Sequence, residues 1–219
     1  MIQLLVNMLN LKSKNFLAKI YLMNMSNTPN NSNQYFDVIF NSVDLQINED
    51  RKKLFYEKYQ AFKDIIPFDI ARFARELQIN LFGSKDFNDH QSGKIEYDPI
   101  SKNYSIYINA NHSLNRIVFT LAHEVGHFFC DKDYLEKNSF ILEDQRKINS
   151  LSRDSSVDDL DLIKREVRAN KFAAELLMPT EKFIEIWKKT KNIEEIATLF
   201  KVSTEAVKYR AVNVLGVIL

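Results

Sequence analysis

The chain has 219 residues, of which 45% are hydrophobic and 12% aromatic, so it can bury the core of an ordinary domain and is not globally disordered. Its 30 basic and 29 acidic residues leave a net charge of +1, which excludes a general electrostatic attraction to nucleic acid or acidic membranes. The single cysteine excludes an internal disulfide and favours a reducing, cytoplasmic location. The low content of glycine and proline, four of each, favours a mostly helical fold.

Residues 1–34 are predicted to be a disordered tail. Residues 1–11 are mildly apolar but too short to span a bilayer. The basic residues follow this apolar stretch, whereas in a secretory signal they precede it, so no membrane targeting is expected. An alternative interpretation of this segment is a start codon assigned too early, with Met23 or Met25 as the expected start.

The next part of the chain predicts two helices followed by a small β unit. Apolar residues at helical spacing predict helices over residues 49–66 and 68–76. Alternating apolar residues predict three short strands with one covered sheet face, over residues 78–82, 94–97 and 104–108.

The strongest predicted helix covers residues 114–131, with Ser113 as its N-cap and an apolar stripe that recurs about every 3.6 residues. The charge-rich residues 131–161 are predicted to form an insertion loop. A long helix over residues 160–177 follows and ends before Pro179.

Three shorter helices are predicted to close the chain, over residues 181–188, 193–200 and 204–214. The last two are joined by a short turn, which is typical of a helix-turn-helix. The predicted fold is therefore α+β. It comprises a mostly helical domain with a three-stranded sheet over residues 35–179, followed by a C-terminal helical unit over residues 180–219.

The strongest helix contains the pattern HExxH at residues 123–127. Side chains four residues apart project from one helix face, so His123 and His127 can bind one Zn²⁺ ion. Glu124 lies about 100° around the helix from His123, where it can act as a general base on an attacking water. The pattern predicts a hydrolytic metal site, and the alternative is a purely structural pair of histidines.

A catalytic zinc site needs a third protein ligand. Glu166 is the preferred candidate, because it lies in the apolar stripe of the long helix, where an unpaired carboxylate would be costly. Asp133 ranks second: the extended pattern HExxHxxGxxH would place glycine at 130 and histidine at 133, where this chain has Cys130 and Asp133. The alternative to metal binding is an ion pair of Glu166 with Arg165 or Arg168.

The sequence also predicts the environment of three further side chains near the motif. Asn170, one turn after Glu166, is expected to hold a metal ligand by a hydrogen bond, or else to join two helices. Glu175 is expected to lie in solvent, since it shares a helix face with basic residues. Cys130 is expected to be a buried, inert thiol.

Two segments carry a family resemblance. Residues 119–127 read FTLAHEVGH, and residues 166–179 read EVRANKFAAELLMP. Together they resemble the ImmA/IrrE family of zinc metallopeptidases, whose HExxH is followed by a segment ExxANxFAAxLLMP. The resemblance extends over roughly residues 67–216.

The resemblance implies a zincin-like, gluzincin-type domain with one Zn²⁺ per chain. His123, His127 and Glu166 would correspond to the zinc ligands, and Glu124 to the catalytic base. It also implies a cytoplasmic protein of a bacterium or mobile element that relieves repression by cleaving or otherwise inactivating a helix-turn-helix repressor. The interval before Glu166 is long, so the 131–161 insertion is expected to affect access to the cleft.

On the second helix of the C-terminal pair, the side chains suited to contact DNA are Lys208, Arg210 and Asn213. The negative charge of Glu205 partly cancels their positive charge. Packing or partner docking is therefore favoured over DNA reading. Two alternatives to proteolysis stay open: a metal-stabilised protein that sequesters a repressor, and a DNA-binding regulator. Two imidazoles and a carboxylate suit several divalent ions, of which zinc is preferred.

Overall fold

The fold is given by a computed structural model that describes residues 34–40, 47–142 and 157–216. The predicted disordered tail, apart from Gln34, and residues 143–156 of the predicted insertion lie outside the described residues. Within the described ranges no helix is both long enough and apolar enough to cross a bilayer.

The described residues form nine helices and four strands, which confirms a mostly helical α+β fold. In chain order they are α1 (Gln34–Phe40), α2 (Glu49–Tyr59), α3 (Ile70–Glu76), β1 (Ile79–Ser84), β2 (Gly93–Asp98), β3 (Asn103–Asn109), α4 (Leu114–Cys130), α5 (Lys132–Asn138), β4 (Phe140–Leu142), α6 (Val157–Leu177), α7 (Thr180–Thr190), α8 (Ile193–Phe200) and α9 (Thr204–Leu215).

The four strands form one mixed sheet in the order β1-β3-β2-β4. β1 is parallel to β3, whereas β2 is antiparallel to both of its neighbours. The three predicted strands are all present, and β4 adds a short fourth strand at the edge. Inward-facing residues such as Ile95 and Ile106 are fully buried. One face of the sheet is therefore covered, as the alternating pattern predicts.

The predicted insertion loop over residues 131–161 starts with regular structure, so this part of the prediction is wrong. It contains α5, β4 and the first turn of α6. The fully buried Leu135 anchors α5 to the core. Ser139 then takes a left-handed conformation with φ of 69°, and its carbonyl accepts a hydrogen bond from the Tyr97 amide at 2.7 Å. One apolar anchor among many charged residues produces no clear periodicity, which is why the sequence pattern missed this helix.

An aromatic cluster fixes the central helices against one another. The ring of Phe55 in α2 lies 4.5 Å from that of Phe36 in α1, 5.2 Å from Phe129 in α4 and 5.5 Å from Phe172 in α6. Each such aromatic side chain buries about 150–250 Å² of surface, so the rings are large packing elements. The cluster thereby holds α4 and α6, the two helices with the predicted site residues, in a defined relative position.

The C-terminal helices are joined to α6 by a buried polar cluster. Arg210 of α9 donates hydrogen bonds to the Met178 carbonyl at 2.7 and 3.0 Å, to Thr180 Oγ1 at 2.8 Å and to the Glu175 carboxylate. Glu175 also accepts hydrogen bonds from the amide and the hydroxyl of Thr180.

The expectation that Glu175 lies in solvent is therefore wrong, since this residue is only 5% exposed. Its partner Arg210 follows 35 residues later in the chain. The charges on α6 alone could not reveal that partner.

Candidate metal centre

The site lies where α4 and α6 approach closely. At Gly126, in the middle of the HExxH segment, a β-carbon would lie only 3.1 Å from both the Cα and the carbonyl oxygen of Ala169, and 3.3 Å from Cβ of Phe172. These distances are tighter than ordinary van der Waals contacts. Glycine on α4 and a fully buried alanine on α6 therefore allow the two backbones to come close enough for their polar side chains to meet.

The structure brings His123, His127 and Glu166 together. The Nε2 atoms of the two histidines lie 3.0 Å apart. Glu166 Oε2 lies 3.1 Å from His123 Nε2, and Glu166 Oε1 lies 3.4 Å from His127 Nε2. One potential ligand atom from each residue falls within 4.8 Å of the others, and all three side chains are buried. The sequence-predicted ligand set thus converges on one point.

The outer nitrogen of each imidazole faces an oxygen. His123 Nδ1 lies 3.0 Å from Asn170 Oδ1, and His127 Nδ1 lies 2.8 Å from Asp131 Oδ2. Because both oxygens accept hydrogen bonds, each neutral imidazole carries its proton on Nδ1, which leaves a lone pair on Nε2. Asn170 therefore occupies the place predicted for a residue that holds a metal ligand.

This arrangement fits a bound cation. With both Nδ1 atoms protonated, two imidazole lone pairs and a carboxylate face one another in a buried space. Neither Glu166 oxygen receives a hydrogen bond from the part of the chain that the structure describes. Buried acceptors without donors are costly. Two imidazole nitrogens and one carboxylate oxygen are a donor set that zinc accepts, with a further position open.

The pKa shifts of the three side chains also favour a bound cation. Burial lowers the pKa of His123, but the adjacent Glu166 carboxylate outweighs this effect, so the net shift is upward. Burial also lowers the pKa of His127, whereas Asp131 and Glu166 raise it well above its usual value. Burial raises the pKa of Glu166, but the two histidines lower it far more. The site therefore favours positive charge at its centre.

Asp131 is a site residue that the sequence reasoning missed. It is the C-cap of α4, its second carboxylate oxygen lies 2.7 Å from an Arg168 nitrogen, and it is 5% exposed. The available signal was its spacing: Asp131 follows His127 by four residues and so shares its helix face.

Glu124, the predicted general base, is completely buried beside His123 on α4. Its negative charge contributes to the upward shift of the His123 pKa. Glu124 is the sequence neighbour of His123 and projects from a different part of the helix circumference, about 100° around.

The remaining candidates lie elsewhere. The Asp133 side chain is 78% exposed and pairs with Arg51 at 2.7 Å, so the second choice for a metal ligand is wrong. Neither arginine considered as a partner of Glu166 contacts it: Arg168 pairs with Asp131, and Arg165 lies 3.8 Å over the ring of Tyr134.

The thiol of Cys130 is buried, and this burial raises its pKa. It matches the expectation of an inert cysteine.

Comparison with known proteins agrees with this centre. The model of peptidase family M78, described as IrrE N-terminal-like domain, matches residues 74–212. The chain belongs to this peptidase family. The matched range includes both α4 and α6, and therefore all of the side chains that converge at the site. No curated protein matches the sequence at a significant level.

Solved structures share the fold. A Mycobacterium tuberculosis transcriptional regulator is similar with a TM-score of 0.50 at 16% sequence identity. The match covers 83% of this chain but only 51% of the regulator, so this chain spans about half the length of that protein. At this identity the similarity concerns the fold alone.

Proposed function

We propose that the protein is a zinc-dependent endopeptidase that cleaves a helix-turn-helix transcriptional repressor in the cytoplasm and so derepresses its genes. The observation that carries the proposal is the convergence of His123, His127 and Glu166 next to the buried Glu124, in a chain that belongs to a peptidase family.

The chain's own residues supply the remaining parts of a peptidase mechanism. His123, His127 and Glu166 would hold the ion, with Asn170 and Asp131 fixing the orientation of the two imidazoles. A bound zinc ion supplies Lewis acidity, which polarises a peptide carbonyl and lowers the pKa of water toward about 7. Glu124 would accept the proton of the attacking water and deliver it to the leaving amine.

The repressor substrate is supported by the resemblance of the two motif segments to the ImmA/IrrE family. A regulator-like protein among the structures of similar fold is compatible with a role in gene regulation. Direct DNA binding by this chain loses support, since Arg210, one of three polar candidates on α9, is 9% exposed and paired with Glu175. The C-terminal helices therefore suit packing or partner docking.

One observation favours a second candidate function. Glu124 and His127 are 0% exposed and His123 is 2% exposed, so the structure shows these side chains covered by protein. A protein that uses the metal only for stability, and that sequesters a repressor without cutting it, would have no need for an open cleft.

The variant Glu124→Gln separates the two candidates. It removes the base but preserves the shape of the side chain, so we expect the metal to be retained and cleavage to fall by about 100- to 10,000-fold. Each form is co-expressed with a helix-turn-helix regulator encoded next to its gene, and shortening of the regulator is followed. Glu57→Gln, an exposed change on α2, is the matched control and should cleave like the wild type.

Cleavage by Glu124→Gln at the wild-type rate would rule out this mechanism. Relief of repression by Glu124→Gln without any shortening of the regulator would establish the sequestration function instead.

A further inference from the structure

The two histidines are held by partners of different chemistry. The Nδ1 atom of His123 is hydrogen-bonded to Asn170, a neutral amide on the exposed side of α6. His127 is bonded to Asp131, whose side chain is 2% exposed. The Asp131 carboxylate is bound on its other oxygen by Arg168, at 2.7 Å.

The position of Asp131 is not explained by the stability of its own helix. Asp131 is the C-cap of α4, where a negative charge opposes the helix dipole, and also the N-cap of α5, where it favours the dipole, so these two effects offset each other. Burial of a carboxylate adds a desolvation cost, which is offset only when the charge is paired and hydrogen-bonded. The Asp131 side chain makes no capping hydrogen bond with α5, so its buried carboxylate is accounted for by its contacts with His127 and Arg168 rather than by helix capping.

Those contacts have a direct consequence for metal binding. A hydrogen bond to a charged acceptor is roughly twice as strong as one to a neutral acceptor. The Nδ1 proton of His127 is therefore held more firmly than that of His123, and the Nε2 of His127 becomes the stronger electron donor.

The same contacts join the two helices that carry the ligands. Asp131 lies at the end of α4, and Arg168 follows Glu166 by two residues on α6. The ion pair therefore connects the helices close to the ligands themselves.

We propose that Asp131 and Arg168 are positioning residues that make His127 the tighter of the two imidazole ligands and hold α4 and α6 at the separation the metal requires. This inference rests on the proposed metal site. Arg168 neutralises Asp131, and Asp131 fixes the tautomer and orientation of His127. Asn170 is the corresponding partner of His123, and because it is uncharged its hydrogen bond holds that imidazole less firmly.

The test measures zinc affinity of the full chain by competition with a chromogenic chelator, and the absorption spectrum of the Co²⁺-loaded protein. Asp131→Asn preserves the shape and an acceptor oxygen but removes the charge. We expect it to weaken zinc binding at least tenfold, within the range of about 10- to 100-fold typical of such partners, and to shift the Co²⁺ bands. Asn170→Ala should weaken binding less than Asp131→Asn.

The arginine provides a second pair of variants. Arg168→Lys preserves the positive charge and should bind zinc more tightly than Arg168→Gln. If Asp131→Asn does not fold, the difference in zinc affinity between these two arginine variants tests the positioning role. Glu57→Gln is the surface control for all four variants.

A decrease of less than tenfold in Asp131→Asn, or equal affinities of Arg168→Lys and Arg168→Gln, would overturn the positioning role. A wild-type protein that binds neither zinc nor Co²⁺ would instead overturn the proposed metal site. The two failures are therefore distinguishable.

Discussion

At the residue scale, the central feature is a set of buried acceptor atoms that face one another. Two histidine nitrogens lie 3.0 Å apart and a carboxylate lies within 3.4 Å of both. Their Nδ1 protons point away, toward Asn170 and Asp131. A divalent ion satisfies all three acceptors at once. In a metal-free protein, protons on the Nε2 atoms would take its place.

This competition predicts how metal binding depends on pH. Since Glu166 and, for His127, also Asp131 raise the pKa of the two histidines, the metal-free fold binds protons at the site more tightly than the unfolded chain does. Its stability from these groups is full below the unfolded pKa of about 6.5 and is lost as the pH rises through the folded values. Metal binding shows the opposite trend, because the histidines must release those protons.

The difference in thermal midpoint between zinc-loaded and metal-free protein should therefore widen as the pH rises from about 6 to about 8. Parallel thermal scans across this pH range measure it. A difference that does not change with pH would contradict the predicted exchange of protons for metal.

At this scale the sequence was informative because the three proposed ligands can be recognised from patterns within single helices. The spacing of His123 and His127 follows from helix geometry, and Glu166 stands out as a carboxylate in an apolar stripe. Asp131 escaped notice because its segment is rich in charges: only its spacing of four residues from His127 distinguishes it from the exposed Asp133, and that spacing does not show burial. Only the fold shows which of the two is buried against Arg168.

At the scale of elements, the close approach of α4 to α6 depends on Gly126. Replacement by alanine would gain about 1 kcal/mol of helix preference. It would also place a methyl group 3.1 Å from the Ala169 backbone, which cannot move without shifting α6. Overpacking of this kind costs about 1–3 kcal/mol.

We therefore expect Gly126→Ala to leave stability unchanged or reduced and to weaken zinc affinity, because Glu166 moves away together with α6. Chelator competition measures the affinity. Gly83→Ala is the matched control, since its nearest neighbour would be Ala110 Cβ at an ordinary 3.7 Å. Zinc affinity of Gly126→Ala equal to that of the control would refute the proposed role of the close approach.

Most elements followed from periodicity. α4 and α8 match their predicted ranges to within one residue, because both have a clear apolar face and an evident end. The failures have a common cause: α5, β4 and the Glu175–Arg210 pair are specified by contacts between distant parts of the chain. Periodicity within a short window carries no information on such contacts.

At the scale of the whole molecule, the Glu175–Arg210 pair joins the C-terminal helices to the helix that carries Glu166. Loss of one partner leaves a buried charge uncompensated, which typically costs about 3–5 kcal/mol. We expect Arg210→Met to lower the free energy of unfolding by roughly this amount in urea titrations. Lys208→Met, an exposed change on the same helix, should stay within about 0.5 kcal/mol of the wild type. Equal stabilities of the two variants would contradict a structural role for the pair.

The central claim, that His123, His127 and Glu166 bind one divalent ion, is tested most directly by the metal content of two matched variants. Glu166 and Glu175 are both buried glutamates on α6, 3% and 5% exposed, but only Glu166 faces the histidines. Elemental analysis after zinc loading and gel filtration should find one zinc per chain in the wild type and in Glu175→Gln, and little in Glu166→Gln. A full equivalent of zinc in Glu166→Gln, or none in the wild type, would contradict the account.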